Sequence, residues 1–301
     1  MELVDHHIEL PTAQTKLVIH LITDVHREAV GCDSRKFKRD IARIEHANST
    51  PSLRQKELHY WFGGGDFNNG IGPKDRRFDA MAVSHQFRKH DNLHMEVAGQ
   101  LVKELTPIRD YCLGYGRGNH EDGVIKYCSF DPAAYVAEKL NVNYIGYSAG
   151  IRLVIGIKGV RHKKTIIVYW HHGFGASRSK GGKLNMLYAL RDKLEADVYM
   201  TGHIHEPLAF PAVRLGLSTR GKLRQVVRPL LFVNGGTYQK HHTTDGKAQT
   251  PMEYNEDHEI KVDYAEKAAY DPAVIGHQGW QFEFQSLRNG WGYKLRARDF
   301  R

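Results

Sequence analysis

Cysteine is scarce in this chain: three among 301 residues, at Cys32, Cys112 and Cys128. An odd, widely spaced set without a CxxC pair excludes a disulfide framework and a thiolate zinc site. A reducing, cytoplasmic setting is expected. No run of about 18 apolar residues occurs, so no membrane-spanning helix is predicted. The opening stretch MELVDHHIELPT has neither a basic n-region nor an apolar h-region, and no secretion signal is read there. Internal repeats and low-complexity linkers are absent. Acidic residues are the minority, 34 against 43 Lys and Arg, for a net charge of +9. The basic residues are scattered, which fits a polyanionic substrate and fits plain solubility equally well.

Apolar runs of strand length recur, and ligand-type residues follow them. KLVIHLIT, Lys16 to Thr23, reads as a buried strand and ends at Asp24-Val25-His26. The strand His59–Phe62 runs into Gly63-Gly64-Gly65-Asp66. A third, Tyr111–Tyr115, leads to Gly116-Arg117-Gly118-Asn119-His120-Glu121-Asp122, read as a turn. TIIVYW, Thr165 to Trp170, delivers His171-His172-Gly173, and Val198–Met200 delivers Gly202-His203-Ile204-His205. Residues two apart on an extended segment point to one side, and open α/β sheets bind ligands at the carboxyl ends of their strands.

Between these runs the spacing predicts helices over 34–46, 91–105, 131–140 and about 184–194. Further strands are expected near 143–147, 151–157, 208–210, 213–217, 230–234 and 279–285. A basic hairpin turn is read at 159–164, a surface loop over 240–257, and a basic tail in LRARDFR. One α/β domain over 1–301 is the economical reading, with a motif-bearing core at about 16–240 and an elaboration at about 241–301.

Taken singly, each strand-end cluster has an ordinary structural explanation as a cap, a turn or a surface histidine. Five in succession are hard to ascribe to chance. Carboxylates, imidazoles and an amide form a mixed nitrogen–oxygen set suited to Mn, Fe, Zn, Ni or Co. The set exceeds what one ion needs and matches two ions about 3.5–4 Å apart that share a carboxylate.

The ordered series DVH, GGDFNN, GRGNHED, HHG and GHIH resembles the calcineurin-like metallophosphoesterase superfamily, whose motifs run D-x-H, G-D-x-x-[DN], G-N-H-[ED], H-G and G-H-x-H. It spans Asp24 to His205, about two thirds of the chain. The resemblance implies a four-layer α/β/β/α sandwich, two mixed central sheets flanked by helices, with two divalent ions at the strand ends. Manganese comes first, with Fe, Zn, Ni, Co or Mg as alternatives. It implies that Asp24, His26 and His205 hold one ion, Asp66 bridges, and Asn119, His172 and His203 hold the other. His172 is preferred to His171 because the family ligand directly precedes the glycine. The implied mechanism is in-line attack by a metal-bound hydroxide, with His120 protonating the leaving oxygen. Arg117 is a candidate phosphate clamp, an ordinary ion pair being the equal alternative, and Asn69 is expected to orient His120.

One departure narrows the substrate. Protein phosphatases of this superfamily carry G-D-x-x-D-R-G, whereas Gly65-Asp66-Phe67-Asn68-Asn69-Gly70 lacks both the second acid and the arginine. Phosphodiesters of nucleic-acid or nucleotide type are favoured over a phosphomonoester, although no aromatic–basic stacking platform is visible. The reading from another class is a binding module that kept the fold without the chemistry; its signature would be an eroded ligand set.

Overall fold

The apolar runs become two sheets. In a computed structural model, residues 1–49, 56–88, 91–175, 177–218, 221–241, 271–287 and 290–301 are described. Its strands are β1 (Glu2–Leu10), β2 (Lys16–Ile22), β3 (Glu57–Gly64), β4 (Cys112–Gly116), β5 (Tyr144–Gly146), β6 (Ser148–Ile157) and β7 (Val160–His171). They continue as β8 (Val198–Thr201), β9 (Leu208–Leu217), β10 (Gln225–Asn234), β11 (Gly236–Thr237), β12 (Gly276–Leu287) and β13 (Gly290–Asp299). The α-helices are α1 (Ser34–Asn48), α2 (Leu93–Leu105), α3 (Asn119–Cys128), α4 (Pro132–Leu140) and α5 (Lys180–Tyr188).

One sheet has the order β1-β6-β7-β8-β10-β9; the other runs β11-β12-β2-β3-β4-β5, with β13 on β12. Both are mixed. β2, β3, β4 and β5 are parallel and joined by helical crossovers, whereas β12 runs antiparallel to β2. Residues 276–287 and 290–299 are therefore part of the second sheet.

Alternation along each strand sorts its side chains between two layers. Leu17, Ile19 and Leu21 of β2 meet Ile151, Leu153 and Ile155 of β6 and Val168 of β7 in a core between the sheets. Ile22 turns the other way, toward Phe37, Ile41 and Ile44 of α1 and Leu101 of α2. On the far side Leu187 and Leu190 cover Tyr199 and Phe232. Helix, sheet, sheet, helix: these are the four layers expected. Asp33 and Asp131 cap α1 and α4, and Pro132 takes the first position of α4.

Local departures have physical causes. Asn119–Asp122 is not a turn but the first turn of α3, because Gly118 caps the helix and the Glu121 side chain reaches back to its N–H. The two segments expected at 208–210 and 213–217 are one strand, β9. Pro211 is tolerated there because β9 lies at the sheet edge. Glu2–Leu10, unassigned by pattern, forms an edge strand, and the basic tail lies in β13. From 242 onward the loop expected at 240–257 lies outside the described residues.

A buried polar row ties the C-terminal strand into this frame. Tyr238 Oη lies 2.9 Å from His277 Nδ1, His277 Nε2 lies 2.8 Å from His20 Nδ1, and His20 Nε2 lies 2.8 Å from His59 Nδ1. His59 Nε2 ends the row 3.2 Å from Glu57. Burial holds His20 well below its ordinary pKa and lowers His59 and His277. Tyr238 Oη and His277 Nδ1 also meet Asp40 Oδ2, at 2.9 and 3.0 Å; the carboxylate accepts, so Tyr238 donates to Asp40 and His277 donates from Nδ1. His20→Leu strands a buried nitrogen on each neighbour, at about 1–3 kcal/mol apiece. Urea unfolding is expected to show a loss of about 2–6 kcal/mol, whereas a loss below about 1 kcal/mol would contradict the bonded row.

Candidate metal centre

The carboxyl ends of β2, β3, β7 and β8 and the start of α3 converge on one buried pocket of ligand atoms. Asp24 follows β2. Its Oδ2 accepts from Thr23 Oγ1 at 2.6 Å, and its carboxylate also accepts from the His203 N–H. Asp66 follows β3 and accepts the His120 N–H on Oδ1 at 3.0 Å. Five of these residues, Asp24, His26, Asp66, His203 and His205, have φ between 48 and 69°. That left-handed conformation is uncommon for a non-glycine side chain, and its concentration at one place marks a functional constraint.

Three interlocking sets result: Asp24, His26 and His205; His26, Asp66 and His120; Asp66, His172 and His203. Within each set the ligand atoms lie within 4.8 Å of one another. Asp66 and His26 each belong to two sets, so the pocket is continuous. His205 Nε2 lies 3.2 Å from both Asp24 Oδ1 and His26 Nε2. On the other side His172 Nε2 lies 3.1 Å from Asp66 Oδ2 and 3.2 Å from Asn119 Oδ1. Close approach demands glycine at two points. A Cβ on Gly118 would sit 2.1 Å from Asp66 Oδ1, and one on Gly202 would sit 2.3 Å from Thr23 Oγ1.

These donors fit divalent transition metals. The His172 Nδ1–H donates to Gly64 O at 2.8 Å, and the His203 Nε2–H donates to Gly175 O at 2.8 Å. Each bond fixes a tautomer and leaves the other nitrogen for the pocket, the usual arrangement behind a metal-bound imidazole. His26 Nδ1 is buried without a hydrogen-bond partner among the described residues. Burial lowers the His172 pKa, but the adjacent Asp66 carboxylate outweighs it and pushes the ring up to about 10. A proton thus stands where a cation would.

The remaining site residues sort clearly. His171 is absent from these sets; its Nδ1 accepts from Gly173 N, and burial and His172 depress it to about 4. His120 donates from Nδ1 to the backbone carbonyl of Asn69. The orienting contact therefore comes from the Asn69 main chain. Arg117 pairs with Asp122 at 2.9 Å and Asp131 at 3.3 Å, the ion-pair alternative.

Residues that the motifs left without a role hold the loops in place. Glu121 accepts three main-chain N–H groups, from Asp66, Gly118 and Asn68, at 2.8–3.0 Å. Glu28 accepts those of Asn69 and Gly70. His241 Nε2 lies 3.4 Å from His205 Nδ1. Of these only Glu121 carried a signal, as the acid closing the GNHE motif.

No family model matches the chain, and no curated protein matches it. Among solved structures it is similar to a predicted phosphoesterase from Streptococcus pneumoniae, at 11% identity and a TM-score of 0.29, over 94% of this chain and 98% of that one. Vacuolar protein sorting 29 from Cryptosporidium parvum is also similar, at 14% identity and a TM-score of 0.32, over 95% and 98% of the two chains. Likenesses this weak add no argument to what the layers and strand ends already display. The fold is a four-layer α/β/β/α sandwich with two mixed sheets.

Two outcomes are expected. Because a metal must displace the His172 proton, Mn²⁺ affinity should rise with pH and loading should release protons, measurable by calorimetry in buffers of differing ionisation enthalpy. Glu121→Ala should weaken Mn²⁺ binding about 10–100-fold with the circular dichroism unchanged; unaltered affinity would show that Glu121 does not position Asp66.

Proposed function

We propose that the chain is a metal-dependent phosphoesterase that works with two divalent ions. The observation that carries the reading is the continuity of the ligand sets through Asp66, a buried carboxylate shared between an Asp24–His26–His205 side and a His172–His203 side. Asn119, beside His172, completes the second side. Ions bound there would supply Lewis-acid polarisation of the phosphoryl oxygens and a lowered pKa for water.

The chain's own residues do the rest. Asp24 and Asp66, both buried, supply negative charge that would hold the cations. His120 stands at the N-terminus of α3 with Nδ1 engaged by Asn69 O, so Nε2 is the atom that gives a proton to the leaving oxygen. A carbonyl orients this ring without the full charge of a carboxylate. The excess of basic residues favours phosphodiesters of nucleotide or nucleic-acid type over phosphomonoesters. The rival reading, a non-catalytic binding module, expects erosion of the ligand set, and none is seen.

Hydrolysis of bis-p-nitrophenyl phosphate should exceed that of p-nitrophenyl phosphate with added Mn²⁺. Turnover of neither by protein shown calorimetrically to hold metal would favour the binding module. His120→Ala should keep both ions and lose about 10²–10⁴-fold in rate on esters with poor leaving groups. Loss of an ion instead would make His120 a ligand.

A further inference from the structure

At the pole opposite the metal centre, one face of the β9–β10 hairpin carries apolar side chains that nothing among the described residues covers. β10 runs parallel to β8 with Asn234 opposite Thr201, so the start of β10 and the hairpin tip point away from the site. Val213, Leu215 and Leu217 of β9, Val227 of β10 and Leu223 in the connection between the two strands are each 61–69% exposed. Leu215 pairs with Val227, and Val213 pairs with Pro229, which makes the face continuous across both strands.

Its direction follows from the alternation. Ala209 of β9 and Leu231 and Val233 of β10 belong to or pack on the core between the sheets. Val213, Leu215 and Leu217 share their parity and extend that inner face outward. The opposite face carries Arg214 and Arg228, both paired with Glu195, at 3.7 and 2.7 Å. The hairpin is therefore an arm whose core-type surface continues past the body that would bury it. Isolated two-stranded arms of this kind are at best marginally stable in water, and apolar patches of this size on a soluble protein mark an interface.

We propose that this face is the contact between two copies of the chain, the arms stacking face to face about a two-fold axis. A two-fold contact requires a surface complementary to itself. An uncharged aliphatic face meets that requirement, and Arg214 and Arg228, which share the Glu195 carboxylate, lie on the other side of the arm. At full burial the five side chains would contribute about 500 Å² per copy, so a pair would bury about 1,000 Å², the threshold for a specific interface. The basic tip residues Lys222 and Arg224 do not oppose the pairing. In an antiparallel stack they lie a strand length apart, about 30 Å for ten residues. Each copy keeps its own metal centre, at the far pole.

Sedimentation equilibrium of the metal-free full chain from 1 to 100 µM tests this. The expected result is a dimer for the parent chain and a monomer for Leu215→Lys/Val227→Lys, at least 100-fold weaker in self-association, with the circular dichroism unchanged. If the double variant misfolds, Leu217→Lys carries the same reading. A parent chain monomeric throughout would overturn the proposal, including one that is monomeric but binds vesicles of phosphatidylserine and phosphatidylcholine. So would a folded variant that still dimerises. Neither result depends on hydrolysis of bis-p-nitrophenyl phosphate.

Discussion

Two buried carboxylates, Asp24 and Asp66, sit among five imidazoles at the meeting point of the two sheets, and the rest of the molecule is arranged around keeping them there. A carboxylate without solvent or a partner is costly. Here burial is outweighed at both: His205 and His172 lower Asp24, and His172 and His120 lower Asp66. The strain is local as well as electrostatic, since five of the participating residues hold left-handed backbone at a cost of order 1–3 kcal/mol each. A divalent cation bound among these donors would compensate both penalties.

The sandwich makes that concentration tolerable. The Asp24 N–H donates to Gly65 O and the His26 N–H to Asp66 O, so the loops after β2 and β3 brace each other. The Tyr238 N–H and Thr237 Oγ1 both donate to Asp24 O, which ties the same loop to the segment after β10. Tyr238 in turn opens the histidine row running through His277, His20 and His59. The ligand loops are thus anchored to the interior on two sides. That anchoring holds the ligand side chains in one geometry.

Much of this was legible in the residues. Buried parallel strands announce themselves as unbroken apolar runs, and the ligands stand directly after them, so the fold type and the places to look for metal ligands could be read in order along the chain. What stayed hidden depends on contacts distant in sequence. The histidine row draws on positions 20, 59 and 277, and no spacing rule links them. The motif points to the Asn69 amide as the group acting on His120; only the folded loop reveals that its carbonyl does so. The first turn of α3 looks like a loop in the sequence because Gly116 and Gly118 dilute the helical pattern, and His241 meets His205 only through the chain's return after β11.

The central claim is that one buried carboxylate serves two cations. Anomalous scattering from crystals of the Mn²⁺-loaded protein measures it most directly. The account predicts two manganese peaks about 3.5–4 Å apart, both in contact with Asp66, one beside Asp24, His26 and His205 and the other beside Asn119, His172 and His203. A single peak, or peaks that do not share Asp66, would contradict it.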